Sequence, residues 1–198
     1  MRIPALRRAA AALRIPAPAR APAILRALAP VLALGALLAP APAAAQEPQA
    51  RPTCATMEHR QVDFWVGRWR VESSGGEFLG TNRIVRRFGG CVLQEHWEGA
   101  GGGMGESYNL YDRATGQWHQ RWVSSTGSLL ELDGGLRADG AMVMEGQTTA
   151  PGGVTTLHRI TWSRVDGDAD RVRQHWQSSS DGGATWSDVF EGIYIREH

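Results

Sequence analysis

Residues 108–123 read YNLYDRATGQWHQRWV and predict a β-hairpin. The segment from Asp112 to Gly116 supplies the turn-forming residues between two runs rich in aromatic side chains. Because successive side chains of a strand point to opposite faces, Trp118, Gln120 and Trp122 share one face of the second strand. One face of this hairpin therefore carries two indoles and an amide.

A polar residue followed two positions later by tryptophan recurs on two other predicted strands. Glu95 precedes Trp97 in this way, and Gln174 precedes Trp176. Three strands would then present a polar group and an indole on the same side, which is typical of the wall of a ligand pocket. The candidate ligand-binding residues are Glu95, Trp97, Tyr108, Trp118, Gln120, Trp122, Gln174 and Trp176.

From residue 67 onward, short alternating runs are separated by turns that contain Gly, Asp, Asn or Pro. These runs predict ten strands at 68–73, 81–88, 91–98, 106–111, 117–124, 128–133, 141–147, 154–163, 171–178 and 185–196. A short helix is predicted before them at 58–65, and no helical stretch is long enough for a βαβ crossover. The glycine-rich segment 99–103 is a candidate mouth or lid loop.

Short strands joined by tight turns indicate an all-β, antiparallel up-and-down architecture. About ten such strands in one domain, residues 58–198, favour a closed barrel over a flat sheet with exposed edges. A β-sandwich is the alternative.

Residues 1–45 have the features of a secretory signal peptide. They contain six arginines and no acid, then an apolar run at 27–38, then Ala43 and Ala45 at the positions of a small-residue cleavage site. The apolar run is shorter than the roughly 20 residues that span a bilayer. We expect cleavage after Ala45, a polar leader at 46–57, and a secreted or periplasmic protein with no transmembrane segment in its mature form. Arg7 and Arg8 leave export by the twin-arginine route open.

Charge and cysteine content narrow the function classes. The six arginines of residues 1–45 are among 21 basic residues in the chain, so the mature part carries 15 against 20 acidic residues. This acidic balance argues against nucleic acid or an anionic membrane surface as a partner. The absence of lysine excludes Schiff-base chemistry and a P-loop.

Cys54 and Cys91 are the only cysteines and are expected to form a disulfide, with a pair of free thiols as the alternative.

Residues 179–186 match the Asp-box turn that occurs in sialidases and other β proteins. The defining positions are Ser179, Asp181, Gly183, Thr185 and Trp186. An aspartate in such a turn accepts hydrogen bonds from backbone N–H groups, so we interpret the motif as a structural turn and not as evidence of glycosidase chemistry.

Two metal-site patterns are rejected on sequence grounds. Asp166, Asp168 and Asp170 have the spacing that opens a calcium loop, but Arg171 stands where the loop glycine belongs. If the tryptophans face inward, the neighbouring histidines His96, His119 and His175 face outward and cannot converge on one ion. We therefore predict no metal, haem or other cofactor.

Five segments together resemble one protein family across nearly the whole mature chain. They are 63–69 (DFWVGRW), 90–95 (GCVLQE), 105–112 (GESYNLYD), 118–122 (WHQRW) and 179–186 (SSDGGATW). The resemblance is to a family of secreted bacterial proteins catalogued as a domain of unknown function and grouped with the calycins, which include lipocalins and fatty-acid-binding proteins. It implies a lipocalin-like barrel and an extracytoplasmic location, and it supplies no catalytic residue. The Gly-x-Trp-x-Gly-x-Gly opening of nitrobindin-type haem barrels is not matched after Trp69.

Three functional hypotheses follow. The first is a barrel that binds a small apolar or amphipathic molecule. The second is a barrel filled by its own side chains, in which the indoles are core, serving as an interaction module at the cell envelope. The third is an isomerase or hydrolase that uses Glu95. An inward Glu95 needs a partner, for which Arg87, Arg159 and Arg173 are candidates; without one its pKa would rise, as suits a general acid or base.

Overall fold

A computed structural model describes residues 54–198 of the chain. Its strands are β1 (Gly67–Glu72), β2 (Phe78–Arg87), β3 (Val92–Gly99), β4 (Met104–Asp112), β5 (Gln117–Ser124), β6 (Leu129–Leu136), β7 (Met142–Thr149), β8 (Thr155–Arg164), β9 (Arg171–Ser179) and β10 (Ser187–Arg196). All ten predicted strands are confirmed. The predicted signal peptide at 1–45, and the leader up to residue 53, lie outside the described residues.

The strands form a closed antiparallel barrel in the order β1-β10-β9-β8-β7-β6-β5-β4-β3-β2. Each strand pairs with its neighbours in sequence, and β1 pairs with β10 through partners such as Trp69 and Arg196. Closure leaves no unpaired strand edge, which removes the aggregation hazard of an open sheet. The predicted all-β up-and-down barrel is therefore confirmed.

The segment expected to be a short helix, 58–65, forms two 3₁₀ turns, Glu58–Arg60 and Asp63–Trp65, and a third such turn lies at Phe88–Gly90. An eight-residue segment is too short for a stable isolated helix, so packing of its apolar side chains decides its conformation. None of the described helices is long and apolar enough to cross a membrane.

One end of the barrel, which we call the closed end, is covered by residues 58–66. Val62 and Trp65 are each 1% exposed there. The Trp65 ring lies 5.5 Å from the Trp162 ring, and Trp118 Nε1 donates a hydrogen bond to Gln61 Oε1 at 3.0 Å. These contacts bury the bottom of the barrel interior.

Arg196, near the end of the chain, ties this cover to the first and last strands. Its guanidinium carbon lies 4.1 Å from the centre of the Trp69 ring, within the range of a cation–π contact. Arg196 Nη1 donates to the Val66 carbonyl at 2.8 Å, and Trp69 Nε1 donates to the Trp65 carbonyl at 2.9 Å. Arg196 therefore connects the end of the chain to the cover and to β1, with 130 positions between Arg196 and Val66.

The opposite end of the barrel, which we call the mouth, is formed by the loops 73–77, 100–103, 125–128, 150–154 and 180–186. The glycine-rich loop lies here, as expected for a mouth segment. It is anchored by backbone bonds, since Gly99 N donates to Gly103 O and Ala100 N donates to Leu79 O, each at 2.8 Å. The Asp-box hairpin between β9 and β10 lies at the same end.

The predicted disulfide between Cys54 and Cys91 is present, with the two Cα atoms 4.8 Å apart. It joins the segment before the first 3₁₀ turn to the start of β3. The two cysteines are 37 residues apart, so the bond closes a long loop and restricts the unfolded chain.

We predict that replacing both Cys54 and Cys91 by serine lowers the free energy of unfolding by about 3 kcal/mol. Urea denaturation followed by circular dichroism measures this. The oxidised wild type with and without a reductant is the control, and reduction should lower its stability to that of the double variant. Equal stability of the oxidised protein and the variant would contradict the prediction.

Candidate ligand-binding site

The barrel contains a partly open cavity of about 250 Å³ in the half nearer the mouth. Six of the predicted ligand-binding residues line it: Glu95, Trp97, Gln120, Trp122, Gln174 and Trp176. Six residues that sequence reasoning did not single out complete the wall: Leu130, Ile160, Trp162, Val189, Phe190 and Tyr194. The convergence of the polar–tryptophan pairs from β3, β5 and β9 on one space is thus present in the structure.

Two of the predicted ligand-binding residues do not line this cavity. Tyr108 is 44% exposed on the outer face of β4, because its neighbours Ser107 and Asn109 are the inward residues of that strand. Trp118 is 2% exposed and faces inward, but it lies at the closed end, bonded to Gln61. Trp118 therefore faces inward as predicted but is not part of the cavity wall.

Glycines on neighbouring strands make room for two of the cavity indoles. A Cβ atom at Gly105 would lie 2.3 Å from Trp122 Cζ2, and one at Gly80 would lie 2.8 Å from Trp97 Cη2. Both distances are far shorter than a van der Waals contact, so a side chain at either position would displace the ring. The two glycines therefore set where Trp122 and Trp97 lie.

Glu95 sits in the cavity wall with 4% exposure and two neutral partners. Its Oε1 accepts a hydrogen bond from Asn82 Nδ2 at 2.7 Å, and its Oε2 accepts one from Ser107 Oγ at 2.6 Å. The strand register places both partners beside Glu95. Ser107 on β4 is paired with Glu95 directly, and Asn82 lies on the same face of β2 as Ile84, the residue there that is paired with Glu95. Both of its oxygens are thus hydrogen-bonded without a counter-charge.

The three arginines considered as partners of Glu95 lie elsewhere, so the alternative holds, in which an unpaired Glu95 has a raised pKa. Arg87 donates to Gln94, Arg159 pairs with Glu145, and Arg173 pairs with Glu191, all among outward-facing side chains of the barrel. Successive side chains of a strand point to opposite faces, and these three arginines occupy positions that face outward.

The hydrogen bonds of Glu95 continue along the wall in both directions. On one side Asn82 Nδ2 donates to Tyr194 Oη at 3.3 Å, and Tyr194 Oη donates to Gln174 Oε1. On the other side Asn109 Nδ2 donates to Ser107 Oγ at 2.8 Å, and Gln120 Nε2 donates to Asn109 Oδ1 at 2.8 Å. We call these seven residues the polar row: Gln174, Tyr194, Asn82, Glu95, Ser107, Asn109 and Gln120.

Burial governs the protonation of the two ionisable members of the polar row. Burial raises the pKa of Glu95, and the hydrogen bonds from Ser107 and Asn82 oppose this only in part. Burial, together with the nearby Glu95 charge, raises the pKa of Tyr194 well above its usual value. Tyr194 is therefore a neutral hydroxyl that donates to Gln174, while Glu95 holds its proton to a higher pH than an exposed carboxyl.

No protein-family model matches this chain, and no curated protein is similar to it. The functional reasoning therefore starts from the cavity and its polar row.

His158 accepts a hydrogen bond from one of the tryptophans that line the cavity. Trp176 Nε1 donates to His158 Nδ1 at 3.2 Å, and Thr148 Oγ1 lies 2.9 Å from His158 Nε2. An indole N–H is only a donor, so His158 Nδ1 must be unprotonated in this arrangement. Burial lowers the pKa of His158, in agreement with a neutral ring.

We predict that protonation of His158 destabilises the barrel. Its folded-state pKa lies below 6.5, the usual value for histidine, so its contribution to stability is complete above pH 6.5 and is lost as pH falls through the folded pKa. Relative to a His158→Gln variant, the wild type should lose free energy of unfolding between about pH 7.5 and pH 5. Urea titrations at each pH measure the difference.

His96 supplies a control of opposite sign. It lies on the outer face between Glu98 and Glu106, whose hydrogen bonds raise its pKa. Its contribution is therefore present below pH 6.5 and is lost as pH rises through the folded pKa. Compared with His96→Gln, the wild type should gain stability over the same fall in pH. Differences of the same sign for the two variants would contradict this assignment.

The other outward histidines also pair with carboxylates instead of facing the cavity. His119 is bonded to Asp133, and His175 to Asp188 at 2.7 Å. Within residues 54–198, no group of three or more His, Cys, Asp or Glu side chains is arranged to hold a metal ion.

The Asp-box residues form a dense hydrogen-bonded turn at the mouth. Asp181 accepts from Ser179 Oγ, Thr185 N and Thr185 Oγ1 at 2.6–2.9 Å. These donors, led by the Thr185 hydroxyl, hold the pKa of Asp181 well below its usual range. Gly183 N donates to Ser179 Oγ, and Trp186 Nε1 donates to the Gly183 carbonyl. The motif shapes one loop of the mouth and contributes no side chain to the cavity.

Proposed function

We propose that this protein is an extracytoplasmic β-barrel that binds a small amphipathic molecule in its cavity. The observation that carries the proposal is a partly open cavity in the barrel whose wall is mostly indole and aliphatic, with four members of the polar row in it: Glu95, Gln120, Gln174 and Tyr194. Such a division suits a ligand with an apolar body and one polar end. The closed end is filled by residues 58–66, so the ligand would enter through the mouth.

The cavity volume limits the size of the ligand. Cavities of about 150 Å³ bind benzene, which has six non-hydrogen atoms. By this scale a cavity of about 250 Å³ has room for roughly ten non-hydrogen atoms. The expected ligand is therefore a compact ring or short chain, smaller than a fatty acid.

The disulfide supports an extracytoplasmic location, because such bonds persist in oxidising compartments. The signal peptide expected at 1–45 agrees with this proposal, as does the proposed membership of a secreted calycin-related family. Secretion and family membership stay predictions.

Two other functions are set below binding. A barrel filled by its own side chains, acting as an envelope interaction module, is disfavoured by the cavity itself. An isomerase or hydrolase is favoured by one observation, the buried Glu95 carboxyl with its raised pKa in the cavity wall. However, none of the cavity-lining residues is a serine, cysteine, histidine or lysine that would supply a nucleophile or second base.

Native mass spectrometry with an absorbance spectrum tests the proposal on protein isolated from the cell envelope without refolding. We expect a reproducible added mass of a small molecule that is lost on denaturation. A bare mass that also fails to increase with millimolar 2-phenylethanol would contradict ligand binding. A Soret band would show that the protein binds haem and would overturn the prediction of no cofactor.

A further inference from the structure

The cavity wall contains one carboxyl group and no basic side chain. Among the residues that line it, Glu95 is the only carboxyl, and none is lysine, arginine or histidine. Both oxygens of Glu95 accept hydrogen bonds from neutral groups, the amide of Asn82 and the hydroxyl of Ser107. A buried carboxylate without a counter-ion is costly, and a cation in the cavity would remove that cost.

Among the described residues that line the cavity, two acceptor oxygens suit a donor ligand, while the indole N–H of Trp162 is a donor without a partner. Within the part of the chain that the structure describes, Gln120 uses its Nε2 to donate to Asn109, and its Oε1 has no protein partner. Gln174 Oε1 accepts from Tyr194 and has a second lone pair. An ammonium group carries three N–H donors and no acceptor, which matches a wall that presents carboxylate and amide oxygens.

The apolar part of the wall favours a cation as well. Trp97, Trp122, Trp162, Trp176 and Phe190 surround the same cavity. The faces of aromatic rings attract cations, most strongly for tryptophan, and the attraction is larger where water is excluded. An anionic ligand would meet the opposite situation, because it would lie beside Glu95 with no cationic side chain to receive it.

We infer that the cavity selects a small organic amine whose protonated nitrogen pairs with Glu95 while its apolar body packs against the indoles. The inference rests on the proposed function and names the chemical class of its ligand. Glu95 is the residue that sets specificity, and the tryptophans contribute apolar contact with the body of the ligand together with attraction for its charge.

Ionisation of Glu95 is linked to binding. Burial raises the pKa of Glu95, and a bound ammonium would lower it, so binding releases a proton wherever the free cavity holds Glu95 protonated. Tyr194 of β10 is a neutral titratable group whose pKa is raised by burial and by the Glu95 charge, while β2 and β4 present the neutral Asn82 and Ser107. The remaining members of the polar row, Gln174 and Gln120, do not titrate. Affinity for an amine should therefore rise with pH until the amine itself loses its proton.

Three probes with the same phenyl body and different end groups test the inference. They are 2-phenylethylamine, 2-phenylethanol and phenylacetate, which are cationic, neutral and anionic at neutral pH and have about the size that the cavity allows. Isothermal titration calorimetry of the wild type should show the amine binding at least about ten-fold more tightly than the alcohol, and phenylacetate binding most weakly.

A Glu95→Gln variant keeps the shape of the side chain and removes its charge. It should lower affinity for 2-phenylethylamine by at least about ten-fold and change affinity for 2-phenylethanol by less than about three-fold. Glu98→Gln is the matched control, since Glu98 lies three positions along the same strand on the outer face. It removes the same charge and should change neither affinity.

The outcomes distinguish failure of amine selection from failure of ligand binding as such. Equal binding of the amine and the alcohol by the wild type would overturn amine selection and leave ligand binding intact. Failure of all three probes to bind would overturn both. An unchanged preference for the amine in Glu95→Gln would remove Glu95 from its role. The comparison of probes on the wild type needs no variant, so it decides the inference even where the Glu95→Gln barrel does not fold.

Discussion

Replacing Trp69 by alanine should lower the free energy of unfolding by about 4 kcal/mol, which is typical for loss of a fully buried tryptophan. Trp69 is 0% exposed at the seam where β1 meets both β2 and β10. Its removal deletes the ring under the Arg196 guanidinium and the hydrogen bond to the Trp65 carbonyl. Arg196 would keep its charge but lose its apolar support, so the seam and the closed end weaken together.

Urea denaturation monitored by far-ultraviolet circular dichroism measures this loss without relying on tryptophan fluorescence. Trp186→Ala is the control, because it removes the same side chain from a partly exposed position over Arg159 at the mouth. Its cost should be about 1 kcal/mol, in line with a surface cation–π contact. Equal costs for the two variants would contradict the importance we assign to the seam.

Replacing Leu130 by tryptophan should reduce affinity for 2-phenylethanol by at least about ten-fold, because the added ring would occupy the space that the ligand needs. Leu130 is 6% exposed and lines the cavity near the start of β6. A larger side chain here enters a void instead of a packed core, so the change in stability should stay within about 1.5 kcal/mol. Calorimetric titration and urea denaturation of the same preparation measure both quantities.

The adjacent residue provides a matched control. Leu129 is 54% exposed, since strand alternation turns it to the outer face. Leu129→Trp makes the same chemical change one position away and should leave affinity for 2-phenylethanol within about two-fold of the wild type. Retained affinity in Leu130→Trp would show that the probe binds somewhere other than the barrel interior.

Most of what could be predicted about the fold came from the alternation of polar and apolar residues along the sequence. Each strand is short, ends at a turn residue and alternates in polarity, so its existence and its two faces follow from local sequence. The same alternation correctly placed Glu95, Gln120 and Gln174 inside. It also placed the histidines outside, where His96 and His175 are found.

Depth along the barrel and contacts across it were harder to predict. Trp118 and Trp122 share a face of β5, yet Trp118 packs at the closed end and Trp122 lines the cavity, because four positions separate them by about 13 Å along the strand. The link between Asn82 and Tyr194 joins residues 112 positions apart, and only barrel closure brings them together. The pairing of Glu95 with Ser107 required the register of β3 against β4, which the hairpin patterns alone did not fix.

The indole N–H signals of the eight tryptophans provide the most direct test that this barrel binds a ligand in its cavity. Trp97, Trp122, Trp162 and Trp176 line the cavity, whereas Trp65, Trp69, Trp118 and Trp186 do not. In a two-dimensional ¹H–¹⁵N spectrum, assigned through single Trp→Phe variants, 2-phenylethanol should shift the first four signals with one common dissociation constant and leave the other four in place. Shifts confined to the second group, or no shift in either group at millimolar probe, would contradict ligand binding in the barrel.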